Sequence, residues 1–312
     1  MKIFVAGATG VMGQRLIPLL IRSGHAVTGM TRSPEKVDQI SSAGAEPVIA
    51  DALDRPAVLS AIERVQPEVI VHQLTAIPSD LNLRHLDQHF APTNQLRTEG
   101  TDNLMAAAVA VKARRFVAQS FAGWPYARTD GTAKTEDDPL DSNPPEALRR
   151  SLEALRHLEK VTTGTAGIEG VVLRYGAFYG PGNTLSRQGA MLEQVRRRRI
   201  PIIGGGRGVW SFVHIDDAAR ATLIAIERAA PGIYNIVDDE PAPVREWLPF
   251  LASAAGAKPP WHLPAWIGRL AIGEHGVAMM TQVRGASNAK AKSALNWYPV
   301  WATYRKGFRR AL

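Results

Sequence analysis

Short apolar runs rich in β-branched residues alternate along the first third of the chain with longer stretches whose apolar positions recur every three or four residues. Ile3–Ala6, Ala26–Met30, Pro47–Ala50, Val69–Val71 and Phe116–Ala118 read as strands. Between them, Val11–Ser23, Pro34–Ala43, Pro56–Val65 and Asn94–Val111 read as helices. Strands this short and apolar on both faces suit a parallel sheet covered by helices on each side. The expected class is therefore α/β, a doubly wound Rossmann-type sheet. Farther on, Pro139–Pro145 is a loop in which Asn143 stands where it would cap a helix running to about Thr163, ended by Gly164 or Gly167. Val171–Leu173 reads as a sixth strand and Ile233–Val237 as another. Beyond residue 180, Gly and Pro punctuate shorter elements. The expected division is a dinucleotide-binding part over residues 1–175, to which 210–240 returns, and a smaller interleaved C-terminal substrate-binding region over most of 176–312.

Composition narrows the chemistry. The 312 residues are 45% hydrophobic and 21% charged, which suits a globular protein and excludes a disordered one. With no cysteine, disulfides, thiolate metal sites and cysteine nucleophiles are excluded together. The eight histidines show neither H-x-x-x-H nor H-E-x-x-H spacing, so no metal site is expected. Arg196–Arg199 is the longest basic run in a chain of net charge +8, and it reads as a solvated helix end. No nucleic-acid partner is expected. No run approaches the ~20 apolar residues of a membrane span, and the N-terminus does not resemble a signal peptide. A soluble, cytoplasmic protein with a small-molecule substrate is the expectation.

Gly7-Ala8-Thr9-Gly10-Val11-Met12-Gly13 follows the first strand and opens a helix. Gly7 permits the tight turn, Gly10 lets backbone amides approach a pyrophosphate, and Gly13 lets the helix pack close to the strand. The helix N-terminus offers free N–H groups to the anion. The spacing predicts dinucleotide binding. At the end of the second strand, Thr31-Arg32-Ser33-Pro34-Glu35-Lys36 has no acid at the strand end to bind a ribose 2′-hydroxyl. Arg32, assisted by Ser33 or Lys36, suits a 2′-phosphate instead, so NADP(H) is expected and NAD less so.

The chain resembles the extended short-chain dehydrogenase/reductases, the group of nucleotide-sugar epimerases, dehydratases and related reductases. The glycine loop carries that resemblance, together with Ala50-Asp51-Ala52-Leu53, His72-Gln73-Leu74-Thr75-Ala76, Asn94 with Gly100–Leu104, Leu173–Gly182, Phe212–Ala219 and Ile233–Ile236. It implies adenine contact at Asp51, Ala52 and Leu53, and ribose and pyrophosphate contact at Gln73, Leu74 and Thr75. It further implies a bracing Asn94 and a nicotinamide-side loop containing Tyr175, Ala177 and Phe178. It also implies Tyr-x-x-x-Lys on the helix after the fifth strand, and here this chain departs from the family. With Glu159 as the family's acidic position, Ser151 stands in the Tyr slot and Leu155 in the Lys slot. The remaining proton-donor candidates are Ser120 at the end of the fifth strand and the loop tyrosines Tyr126 and Tyr179. Trp124, Tyr179, Arg187 and Trp210 are candidates for substrate contact, the aromatic rings favouring a partly apolar substrate.

The reading that follows is an NADP-dependent oxidoreductase acting on a carbonyl/alcohol or an activated double bond. Alternatives are an epimerase/dehydratase-like enzyme, a non-redox isomerase or lyase, and a non-catalytic NADP-binding regulator. The sequence leaves monomer and homodimer open.

Overall fold

A computed structural model describes residues 1–78, 85–129 and 131–311. Its centre is a seven-stranded sheet built from β1 (Lys2–Ala6), β2 (Ala26–Thr31), β3 (Glu46–Ile49), β4 (Val69–His72), β5 (Arg115–Phe121), β6 (Glu169–Tyr175) and β7 (Gly232–Ile236). The order is β7-β6-β5-β4-β1-β2-β3 and every pairing is parallel. Strand order reverses between β1 and β4, the point at which open parallel sheets bind ligands outside their carboxyl ends. Ile3–Ala6 and Val69–His72 are wholly buried, as strands covered on both faces must be.

One face is covered by α1 (Val11–Arg22) and α8 (Ile215–Arg228), the other by α3 (Arg55–Val65), α5 (Thr101–Ala110) and α6 (Glu146–Gly164). Met12, Leu16, Ile17 and Leu20 form the apolar stripe of α1 and meet Ile3, Val5 and Val27. On the opposite face Phe4, Ile70 and Phe116 meet Ile62, Leu104 and Leu158. α11 (Ala289–Leu295) adds Ala291 and Leu295 to the first of these cores, so the tail returns to the sheet beside β7. A third core, holding Phe212, Trp247, Leu251, Tyr304 and Phe308, joins α7 (Ala190–Arg196), α9 (Val244–Ala254), α10 (Ala265–Thr281) and α12 (Tyr304–Ala311).

Three local expectations are corrected. Pro34–Ala43 is a 3₁₀ turn, Pro34–Lys36, followed by a short α2, Val37–Ser42. Asn143 does not cap α6, whose N-cap is Pro145; its amide donates to Asp141 and its carbonyl accepts from Arg128. The helix expected from Asn94 starts earlier, as α4 (Leu86–Gln95), and passes through a π-helical segment, Leu96–Gly100, before α5. Such a bulge is often found at functional sites.

Candidate active site

Arg32, Asp51, Gln73, Ser120 and Tyr175 belong to different strands or the loops after them, and parallel pairing brings all of them to the carboxyl edge of one sheet. The glycine loop lies at the switch point. Gly7 has φ +94°, and a Cβ there would stand 2.7 Å from the Gln73 carbonyl oxygen. A Cβ on Gly13 would stand 2.4 Å from the carbonyl oxygens of Gly7 and Ala8, so only glycine lets α1 dock this closely. The Gly10 amide donates to the Gly7 carbonyl (3.1 Å), closing the turn, and the Gln14 side chain donates to the Thr9 carbonyl (3.0 Å).

The first intrahelical bond of α1 is Gln14 N–H to the Gly10 carbonyl, and no side chain caps the helix. The amides of Val11, Met12 and Gly13 therefore lie ahead of the helical ladder at its positive end, without an acidic residue in the first turn. Met12 is buried, while Val11 is half-buried beneath Gly182 of the nicotinamide-side loop. Gln73 gives its side-chain N–H to the Tyr175 hydroxyl (3.4 Å), and its Oε1 is buried with no partner among the described residues. This uncapped cradle and the orphaned acceptor beside it fit a dinucleotide, the pyrophosphate facing the α1 amides.

The residues expected on the adenine side differ in exposure. Arg32 and Lys36 are exposed. Asp51 is half-buried and accepts the Leu53 amide (3.0 Å), while Ala52 is buried and its carbonyl accepts from Asn103. Leu74 is half-buried and Thr75 exposed. Asn94 donates to the Ser151 hydroxyl (3.1 Å), which ties α4 to α6 and leaves Asn94 Oδ1 buried without a partner among the described residues. Ala177 and Phe178 are half-buried, Phe178 lying against the Tyr175 ring at 5.2 Å. Tyr175 itself faces the core, its hydroxyl hydrogen-bonded to Thr222 (2.7 Å), so only its backbone remains for cofactor contact.

The proton-donor candidates are all engaged or sealed. Ser120 donates to Glu159 Oε1 at 2.7 Å. Arg174 holds both oxygens of the same carboxylate, Nε to Oε1 at 2.8 Å and Nη2 to Oε2 at 2.7 Å. Its Nη1 reaches the Tyr126 hydroxyl (2.9 Å), which donates to Asn235 Oδ1 (2.6 Å). Burial opposes the Arg174 charge, but hydrogen bonding and attraction by Glu159 outweigh it and hold the guanidinium protonated. Burial also raises the pKa of Tyr126 above the usual phenol value.

Tyr179 is fully buried between His214 and Phe308 and pressed against Gly307, where a Cβ would meet its ring at 2.2 Å. Its hydroxyl has no partner among the described residues, and burial raises its pKa strongly. Neither tyrosine faces a cleft, so the expectation that Tyr126 or Tyr179 protonates a substrate, or that Tyr179 touches one, is corrected by packing. Ser151 and Leu155, in the slots of the missing pair, are both buried.

Among the substrate candidates, Trp124 is half-buried beside the half-buried Phe121, ring centroids 6.3 Å apart. Trp210 stacks on Trp247 (5.0 Å) and donates to the Met279 carbonyl (2.9 Å), a packing role with one edge exposed. Arg187 is exposed and does not line the cleft beside loop 127–132. That cleft, about 1150 Å³, lies between loop 127–132 and the C-terminal region and is lined by Arg128, Arg207, Arg245 and Arg284. Arg128 pairs with Asp141 (2.8 Å), and Arg284 donates to the Thr129 carbonyl (2.9 Å). Arg207 and Arg245 are exposed, their side chains without a hydrogen-bond or ion-pair partner among the described residues. These four arginines are scattered from residue 128 to 284 and share no sequence motif.

Residues 3–237 match the NAD dependent epimerase/dehydratase family. The chain belongs to that family. It is 41% identical over 313 residues to the 3-diazoavenalumate denitrifying reductase of a Streptomyces species, covering 99% of this chain and 100% of that one. It is also 29% identical to a 2-alkyl-3-oxoalkanoate reductase of Stenotrophomonas maltophilia, over 82% of this chain and 76% of that protein. The UDP-glucose 4-epimerase of Thermus thermophilus, solved with NAD, superposes with a TM-score of 0.75 at 22% identity, covering 100% of this chain and 97% of the other. On these matches this member of the family is an NAD(P)-dependent oxidoreductase. No helix among the described residues is long and apolar enough to cross a membrane, and none of their His, Asp or Glu side chains cluster as a metal site would require.

Proposed function

We propose that this enzyme is an NADPH-dependent reductase that delivers hydride to a small, partly aromatic, anionic acceptor without an acid of its own. One observation carries the reading. Every side chain expected to protonate a substrate is committed elsewhere: Ser120 to Glu159, Tyr126 to Asn235, and Tyr179 to the core. A ketone reduced to an alcohol needs a proton at oxygen as hydride reaches carbon, and a well-placed acid contributes roughly 10²–10⁴-fold.

An acceptor that loses dinitrogen has no such need. The Streptomyces relative is named for a diazo substrate and for denitrification, and we extend that substrate class to this chain. Bound NADPH supplies the hydride, and the balance R–N₂⁺ + NADPH → R–H + N₂ + NADP⁺ requires no proton from the protein. The chain's own task is then to bind and orient. Phe121, Trp124 and Phe178 offer half-buried rings for an aromatic acceptor. Arg207 and Arg245, in the cleft beside loop 127–132, hold a carboxylate. Arg32 and Lys36 take the 2′-phosphate that distinguishes NADPH from NADH.

The test is anaerobic turnover of an arenediazonium carboxylate with NADPH. One NADPH consumed per dinitrogen released, with NADH much poorer, is the expected result. Turnover of ketones but not of the diazonium salt would contradict the reading.

A further inference from the structure

Arg97 sits in the π-helical segment Leu96–Gly100 with only 5% of its surface exposed. Its side chain makes no hydrogen bond or ion pair with any described residue, and its Nη1 is wholly buried and unsatisfied. A buried charge of this kind is costly, and proteins pair it or do without it. Desolvation accordingly depresses its pKa to about 10. No carboxylate among the described residues pairs with it. A ligand is left to supply the partner.

The surroundings say which ligand. The carbonyl of neighbouring Leu96 accepts from His72 Nε2 (3.3 Å), and the Arg97 carbonyl accepts from the Thr101 hydroxyl (2.8 Å), which in turn lies 3.1 Å from His72 Nε2. Arg97 also acts electrostatically on His72. The segment is thus clamped to the carboxyl end of β4, immediately before the Gln73-Leu74-Thr75 turn. Along the helix, Arg97 lies between two rungs that join it to α6, Asn94–Ser151 (3.1 Å) and Asp102–His157 (2.7 Å). Asn94 Oδ1, one helical turn away, is a second buried group lacking a partner among the described residues. A guanidinium donor and an amide acceptor left over on neighbouring turns suit hydroxyls, which accept from one and donate to the other.

If the pyrophosphate binds at Gly7–Gly13 and the adenine half at Arg32 and Asp51, after β2 and β3, the other half of a dinucleotide would reach the side of the switch point that holds β4 and β5. We propose that Arg97, with Asn94, binds the hydroxyls of the nicotinamide-side ribose and so fixes the half of the cofactor that reacts. This rests on the dinucleotide reading of the glycine loop.

The experiment compares wild type, Arg97→Met and Arg97→Lys in titrations with NADPH and with adenosine 2′,5′-bisphosphate, which carries only the adenine half. Arg97→Met is expected to weaken NADPH by about tenfold or more and to leave the bisphosphate unchanged, with Arg97→Lys recovering part of the loss. Removal of a buried unpaired charge should leave the melting temperature of the ligand-free protein equal or higher, a readout that a merely structural arginine would move downward. Unchanged NADPH affinity in Arg97→Met, or equal weakening of both ligands, overturns the assignment while leaving the cofactor reading in place. Failure of wild type to bind either ligand removes both.

Discussion

Arg32 and His72 show how single side chains at the sheet edge tie sequence to chemistry. Arg32 stands after β2 and is exposed, so its replacement costs the fold little and reads out the proposed 2′-phosphate contact directly. Arg32→Ala should weaken NADPH by about tenfold to a hundredfold, the worth of a charge-assisted contact, and leave NADH affinity within about twofold. Equal losses for both nucleotides would show that Arg32 only packs near the adenine. His72 is buried, and burial outweighs its bond to the Leu96 carbonyl, with Arg97 pulling the same way as burial; its pKa falls to about 4. Its unfolded form takes a proton near pH 6.5. Stability is therefore full above pH 6.5 and is lost as pH falls toward 4, by about 3 kcal/mol at the limit. Urea unfolding at pH 7 and pH 4.5 should show this acid loss in wild type and a smaller one in His72→Gln. Asp238, raised by burial, works in the opposite sense and is common to both proteins. At this scale the sequence was readable where chemistry is local. The spaced glycines and the missing acid after β2 are each decided within a few residues. Depth was not readable: Tyr126 and Tyr179 lie in segments rich in Gly and Pro, and only the folded chain shows Gly307 and Asn235 closing over them.

Among elements, α6 replaces catalytic groups with packing ones. It meets β5 and β6 through Glu159, which receives Ser120 from one strand and Arg174 from the other. Both partners are buried, with side-chain exposures of 8% and 5%. Breaking such a pair strands a charge. Glu159→Gln should destabilise the protein by about 3–5 kcal/mol, and the apolar double replacement Glu159→Leu/Arg174→Met should recover much of that loss. Denaturant unfolding decides it, since a loss below about 1 kcal/mol for Glu159→Gln would show that the pair is not what clamps α6 to the sheet. The helix itself was legible from its apolar spacing. The start of α4 was not, because Pro92 and the polar Asp87, Gln88 and His89 break the pattern ahead of Asn94. The π segment was equally hidden, since one extra residue in a turn changes no local composition.

For the whole molecule, two parts meet: the helix-covered sheet and the C-terminal segments, which line an arginine-rich cleft together with loop 127–132. The two are tied by Asp217 in α8, which accepts the amides of Val300 (3.2 Å) and Trp301 (2.8 Å), while its carbonyl accepts the Trp297 indole (3.1 Å). This long-range closure was outside the reach of pattern reading, although the return of 233–237 to the sheet was visible as an apolar run. The central claim is that this arrangement binds and orients an acceptor but lends it no proton. Deuterium labelling tests it most directly. An arenediazonium carboxylate turned over in ordinary water with NADPH deuterated at the transferring position should give a product with one deuterium on the carbon that lost nitrogen. A product labelled only when the water is D₂O would mean that the protein, and not the cofactor, supplies the new hydrogen, and would contradict the account.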